Sequence, residues 1–369
     1  MLYFDHSATT PIHPEVAQKI DYINREHYAN PSSIYSSGRK ARSVIEKARQ
    51  QVAYAIGAKA KQIFFTSGGT EANNQVLWSK IAEKKKHIIV SSIEHPAILK
   101  VLKKVEPYGI TSSIVPVDNQ GTVEVDYLTS LINENTGLIS IMFANNEVGT
   151  IQPIKEIVKK ASSLNIPFHT DAVQTLGKIP VDVNVLGVEY LSLSAHKFYG
   201  PKGVGALFVK NKKMVQSFIV GGEQEAGLRG GTENIAGIVG MGLAAELALQ
   251  NQKDCYNHLK TLEKYFMKNL RSKFPDLVRN GNPNNSLPGL ISISFPGNKS
   301  DILMAKLDRK GIAVSNGSAC NTGNVKPSGV LKAMGIKDDL NMSTLRISFG
   351  NGNSKKDIDQ FFSALEIII

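Results

Sequence analysis

The chain has 369 residues, 42% of them hydrophobic and 20% charged, with a formal charge of +11. That composition is a globular one rather than a disordered one; no apolar run approaches the roughly 20 residues a membrane span needs, and the length predicts two domains. Two cysteines far apart, Cys255 and Cys320, argue against a disulfide framework and a cysteine-rich zinc site.

The first residues, Met1 to Glu15, have neither a basic start nor an apolar stretch. No secretory signal is expected, and a reducing cytoplasm fits best. The segment Gly38 to Ile56 carries Ala41, Val44, Ile45, Ala48, Val52 and Ile56 at helical spacing. Strand candidates follow at 63–66, 87–92, 110–117, 138–144, 166–171, 190–194 and 205–209, with helical patterns such as Glu71–Lys85 and Pro153–Leu164 between them. Lys84-Lys85-Lys86, the densest basic run, falls at an expected helix end, where the macrodipole favours it. Direct nucleic-acid binding is therefore not expected. A long helical pattern runs from about Asn234 towards Phe274 with breaks. After it come strand 290–295, helix 301–310, strand 313–315, helix 327–334, strand 345–349 and a last helix from Lys355. Alternating helices and Val/Ile-rich strands predict an α/β fold: a large domain (14–248) with a mainly parallel seven-stranded sheet, and a smaller α+β C-terminal domain (1–13 with 249–369).

The chemically rich residues fall just after strand ends, where ligands sit in open α/β sheets. In Ser194-Ala-His-Lys197 a strand ends at a lysine before a Gly-rich turn. A lysine there can form a Schiff base with a cofactor aldehyde, or simply open a loop on the surface. Asp171, after strand 166–168, can hold the proton of a pyridine nitrogen or cap a following helix. Thr66-Ser-Gly-Gly-Thr70 makes a strand, Gly-rich turn and helix start suited to phosphate, with Thr70 equally readable as a cap. His95 can stack on a flat ring or shuttle protons, though a lone strand-end histidine is more often structural. Cys320 lies in a loop of small polar residues, the setting of a reactive thiolate, whereas Cys255 sits in a helical pattern and reads as an inert packing or surface thiol.

Taken in order, Asp5-His-Ser-Ala-Thr-Thr-Pro11, Asn30-Pro-Ser-Ser33, Thr66–Glu71, Glu94-His95, Asn145–Gly149, Asp171–Gln174, Ser194–Lys197, Arg229-Gly-Gly-Thr232, Gly317–Cys320 and Leu345–Gly350 span nearly the whole chain. The series resembles the group I (NifS/IscS-like) cysteine desulfurases, in the class V aminotransferase branch of pyridoxal-5'-phosphate (PLP) fold type I. The resemblance implies Lys197 as Schiff-base lysine, Asp171 at the pyridine nitrogen, Gln174 at the ring hydroxyl and His95 over the ring. Gly69, Thr70, Ser194 and His196 would hold the phosphate, joined by Thr232 from the other subunit of a homodimer. Asn146 and Arg346 would bind the substrate, Arg346 through its carboxylate, and Cys320 would accept the sulfur. Tyr35, where many relatives carry histidine, and Asn316, before the Gly-Ser-Ala-Cys run, depart from the family pattern.

The implied reaction turns L-cysteine into L-alanine, with sulfur carried as a persulfide on Cys320 to an acceptor protein for Fe–S clusters or tRNA thiolation. A selenocysteine lyase or other class V enzyme is the neighbouring alternative. A basic nucleic-acid-binding or scaffold protein is the alternative from another class.

Overall fold

In the computed structural model, which describes residues 1–316 and 326–369, the seven predicted strands form one sheet. The strands of the chain, in order, are β1 (Leu2–Tyr3), β2 (Ile63–Thr66), β3 (His87–Ser91), β4 (Thr111–Val115), β5 (Thr136–Ser140), β6 (Phe168–Asp171), β7 (Tyr190–Ser194), β8 (Gly205–Val209), β9 (Val278–Asn280), β10 (Leu290–Ser294), β11 (Ile312–Ala313) and β12 (Thr344–Ser348). The large sheet has the order β2-β8-β7-β6-β5-β3-β4. Only β8 runs against the others, being antiparallel to both β2 and β7, so six C-terminal ends share one edge.

Successive side chains of a strand point to opposite faces, and here both faces are covered. Ile63, Phe65, Ile89, Ile139 and Phe208 enter one apolar cluster; Phe64, Ile88, Val90, Leu138 and Leu207 enter another. This is why the strands read as continuous apolar runs rather than alternating ones. The helix Ser36–Ala55 buries Ala41, Ile45, Ala48 and Val52 at three- and four-residue spacing. It packs with Ile235–Gln250, where Gly242 leaves no room for a side chain: a Cβ there would lie 2.6 Å from Ala48 Cα. The predicted long helix is two, Ile235–Gln250 and Gln252–Lys273, which meet at Asn251.

The C-terminal half carries a second, antiparallel sheet of order β12-β10-β9. Its core is aromatic, with Phe4, Phe266, Phe349, Phe361 and Phe362 in mutual contact. The last helix, Lys355–Ile368, starts at a capping box in which Ser354 and Asp357 exchange side-chain and backbone hydrogen bonds. The chain start crosses into this half. Leu2 and Tyr3 pair in parallel with Ile312 and Ala313, and Asp5 bridges to Ser348.

Among the elements the sequence expectations did not name are β1, β9, the helix Pro14–Glu26 and the short helices Val125–Ser130, Val183–Leu186 and Asp338–Asn341. The helix 14–26 fully buries only Val16 and Ile23, so its apolar stripe is thin. The strand expected at 313–315 is shifted to 312–313, with Ser315 forming an isolated bridge to Arg346.

Candidate functional site

The shared edge of the sheet opens into a cleft of about 640 Å³ whose walls include Thr70, His95, Asp171, Lys197 and Arg346. Thr70, His95, Asp171 and Lys197 arrive there because a strand stops, whereas Arg346 projects from the middle of β12. β6 ends at Asp171, and β7 ends at Ser194, after which one turn of 3-10 helix delivers Lys197. β2 ends before the turn that starts helix Gly69–Ser79, and Glu94 and His95 follow β3.

Asp171 is buried and fully engaged. Asn73 Nδ2 donates to its Oδ2 at 2.6 Å and the Val173 N–H donates to its Oδ1 at 3.0 Å. Lys197 Nζ donates to the carbonyls of Ser7 at 2.5 Å and Ala8 at 2.6 Å. Burial, then the cations Lys178 and Arg346, push its amine down to about 7, against the opposing pull of Asp5 and Asp171. A substantial share is thus the free, nucleophilic amine at neutral pH. His95 caps helix Pro96–Val105, its Nδ1 accepting from the Ala97 N–H at 3.1 Å. Burial lowers its basicity, so the neutral ring carries its proton on Nε2. Glu94 beside it accepts from Ser91 Oγ at 2.6 Å and the Met142 N–H at 2.8 Å, and burial lifts it to about 8. It stands neutral near Asp171.

Arg346, on β12, is almost completely buried. Its Nη2 donates to Asp5 Oδ1 at 2.7 Å and its Nη1 to the Asn146 carbonyl at 3.1 Å. Gln174 Nε2 donates to the Ser7 carbonyl at 2.9 Å, and Ser7 Oγ donates to the Asn146 carbonyl at 3.0 Å. His196 is tied to Thr9 Oγ1 through Nδ1 at 3.1 Å and is held down at about 4 by burial and two lysines. The N-terminal segment 5–10 therefore wires Arg346, Lys197, Gln174 and His196 together. Sequence reasoning quoted that segment as a motif but assigned it no task. Asn73 was missed as well; a polar residue inside a predicted helix, four after Gly69, was the available signal.

All the expected site residues of this chain line the cleft except two. Thr232 is exposed and lies outside its walls, and Cys320 falls outside the described residues. Cys255, read as an inert packing or surface thiol, is half-buried and donates to Asn351 Oδ1 at 3.1 Å. It sits in the wall of a small separate cavity of about 60 Å³ that Lys197 also lines. Burial raises its thiol, which fits inertness.

The walls suit the expected cofactor. Asn73 Oδ1, Glu94 Oε2 and Arg346 Nε are buried with no partner among the described residues, and buried polar atoms in that state call for a polar ligand. The Gly69 backbone approaches Val173 so closely that a Cβ would meet its Cγ2 at 2.5 Å, leaving the N-terminus of an 11-residue helix open to an anion. The residues that would hold PLP are Lys197 and Asp171 with Asn73, the Gly69–Thr70 helix start, and Ser194.

Comparison with known proteins points the same way. The family model "Aminotransferase class-V" matches residues 2–361. A protein of Dictyoglomus turgidum named "Cysteine desulfurase IscS" is 44% identical, over 100% of this chain and 94% of the relative. A solved structure titled "NIFS-LIKE PROTEIN" superposes with a TM-score of 0.93 at 37% identity, covering 100% of this chain and 99% of that one. Another, "SspA in complex with cysteine", gives 0.84 at 33%, covering 95% and 99%.

Proposed function

The chain belongs to the aminotransferase class V family, and from that footing we propose that the cleft is the active site of a PLP-dependent cysteine desulfurase. The enzyme takes L-cysteine to L-alanine and passes the sulfur to an acceptor. One juxtaposition carries the reading: the Lys197 amine and the Asp171 carboxylate stand on neighbouring strand ends, in the same cleft as the buried guanidinium of Arg346.

Bound PLP supplies an aldehyde for amines and an electron sink for the carbon skeleton. The protein's own groups do the rest. Arg346 takes the substrate carboxylate, with Asn146 beside it, and so orients the amino acid. Lys197 moves the proton at Cα, its depressed basicity letting it act as base and then as acid near neutral pH. His95 presents an N–H from Nε2 into the cleft. Asp171, held by Asn73 and the Val173 N–H, would keep the pyridine nitrogen protonated. Gln174 would serve the ring hydroxyl, and Thr70, Ser194 and His196, with the Gly69 turn, would hold the phosphate. The Cys320 thiolate attacks the substrate sulfur. A sulfur–sulfur bond forms as the Cβ–S bond breaks, and the electrons left on carbon take up a proton to give alanine.

The protein works as a homodimer in which Thr232 serves the partner's phosphate. Two features support this: Thr232 is exposed and outside its own cleft, and large apolar side chains such as Tyr28, Ile34 and Val220 stand in solvent. Division into a large unit (14–248) and a small one (1–13 with 249–369) is supported by the aromatic core drawn from Phe4 and residues 259–365. No helix among the described residues is long and apolar enough to cross a membrane. The acceptor is a protein of Fe–S assembly or tRNA thiolation, met in the cytoplasm. The test is borohydride reduction of the purified protein, followed by peptide mass spectrometry and an assay of alanine from L-cysteine. Cofactor fixed on Lys197 with one alanine per sulfur released is expected. Label on another lysine, or no alanine, overturns the assignment.

A further inference from the structure

Lys178 has no role in the reaction described above, yet it is connected to the residues that carry it. It follows β6 in a series of tight turns: the Thr175 carbonyl accepts from its N–H at 3.0 Å, and Gly177 before it adopts φ +81°. A Cβ at Gly177 would press to 3.1 Å on Ala248 Cβ, so this turn lies directly on helix Ile235–Gln250. That contact directs Lys178 inwards. Its Nζ donates to Gln174 Oε1 at 3.3 Å, and Gln174 Nε2 donates to the Ser7 carbonyl that also receives Lys197 Nζ. Lys178, Gln174, Ser7 and Lys197 thus form one hydrogen-bonded chain.

The same lysine lines the small cavity behind Lys197, together with His6, Tyr199 and Cys255. None of the residues lining that cavity is a carboxylate, and Lys178 makes no ion pair among the described residues. Lys178 is half-buried, and an ammonium held there without a counter-charge is only partly solvated, so its position has to be explained by what it faces. From helix Gln252–Lys273 it faces Cys255, from β12 Arg346, and from the N-terminal segment His6. Lys197, for its part, is faced by Lys178 and Arg346 as cations, and by Asp5 and Asp171 as anions.

We infer that Lys178 is a positioning residue of the desulfurase: it fixes the side-chain rotamer of Gln174 and places an uncompensated cation behind Lys197. Like charges disfavour one another's charged form. With burial and Arg346 holding Lys178 down to about 8, against the opposing pull of Cys255, it is still mostly charged at pH 7 and favours the neutral amine at Lys197. The inference rests on the reading of the cleft as a PLP site, and the two can fail separately.

The test uses cofactor-loaded wild type, Lys178→Met, Lys178→Gln and Lys178→Arg. Borohydride fixation on Lys197 in the wild type comes first; its failure sinks the functional reading, not this one. The readout is the pH midpoint of the visible absorbance of the bound cofactor, alongside kcat and KM for L-cysteine across pH. Both neutral variants should raise the midpoint by roughly half a unit to one unit and move the acidic limb of kcat with it. Lys178→Arg should stay at the wild-type midpoint. An unchanged midpoint in either neutral variant that loads cofactor overturns the inference. If neither neutral variant loads while Lys178→Arg loads normally, the charge is supported. If all three fail to load, Lys178 only packs, and the inference is wrong.

Discussion

Asp5→Asn tests how Arg346 is kept ready for a carboxylate. In the structure Asp5 Oδ1 lies 2.7 Å from Arg346 Nη2, with the two side chains 18% and 3% exposed. Removing one partner of a fully buried pair costs about 3–5 kcal/mol. Asparagine keeps an acceptor oxygen, and a neutral hydrogen bond retains about half the strength of a charge-assisted one. Asp5 is also partly wetted, which screens its charge. The expected loss is therefore about 2 kcal/mol, set mainly by the guanidinium left buried without a counter-charge. A ligand carboxylate can supply that charge. L-Alanine, which carries the carboxylate but no sulfur to transfer, should stabilise the variant more than the wild type. The assay is thermal and urea unfolding of both proteins at matched cofactor occupancy, with and without saturating L-alanine. A loss below about 0.5 kcal/mol, or equal stabilisation of both proteins by L-alanine, would refute the argument. The first would mean the pair is worth no more than a surface ion pair, and the second that Arg346 does not meet the carboxylate.

Gly69→Ala should weaken PLP binding and cost about 1–3 kcal/mol, because its Cβ collides with Val173 at 2.5 Å; adding Val173→Ala should restore both, read by titrating PLP into stripped protein. Glu147, lifted by burial from 4.5 to about 7, binds its proton in the folded state across that window, so stability falls as pH rises through it. Glu147→Gln should therefore flatten the pH dependence, gaining about 2 kcal/mol on the wild type between pH 5 and pH 8 in urea unfolding. Cys320→Ser should still load PLP and lose alanine formation from L-cysteine, while Cys255→Ser keeps it; normal turnover without the Cys320 thiol would remove it from the mechanism. Mixed dimers of Lys197→Ala with Thr232→Ala should recover activity that neither variant shows alone, unless Thr232 acts within its own chain.

The large sheet was legible because burial on both faces leaves long Val- and Ile-rich runs, and all seven of its strands overlap an expected one, although the strand expected at 138–144 lies earlier, at Thr136–Ser140. Lys197 and Asp171 were legible for a related reason: a polar residue at the end of an apolar run has few places to go except the sheet edge. What stayed hidden has no local signal. β1 is two residues long, and its partner β11 lies about three hundred residues away. Asn73 looks like any helical asparagine until Asp171 is brought to 2.6 Å by the packing of helix Gly69–Ser79 on β6 and β7. Ser7 matters through its backbone carbonyl, which side-chain patterns do not report. Cys255 sits in a helix, as its spacing implied; that this helix backs onto Lys197 depends on how the two halves meet.

The way the first ten residues are used has a consequence for how the enzyme comes into being. Leu2 pairs with Ile312, the Ser7 N–H donates to Ser348 Oγ, and only then are the carbonyls of Ser7 and Ala8 in place for Lys197. These contacts join the two ends of the polypeptide across more than three hundred residues, the slowest kind of closure a folding chain makes. A ribosome can release the whole large sheet, with Asp171 and Lys197 already at its edge, while the segment that steadies Lys197 still waits for β12 to be synthesised. A nascent chain stalled before Thr344 would hold the lysine and lack the arginine, able to capture an aldehyde but unable to orient an amino acid on it.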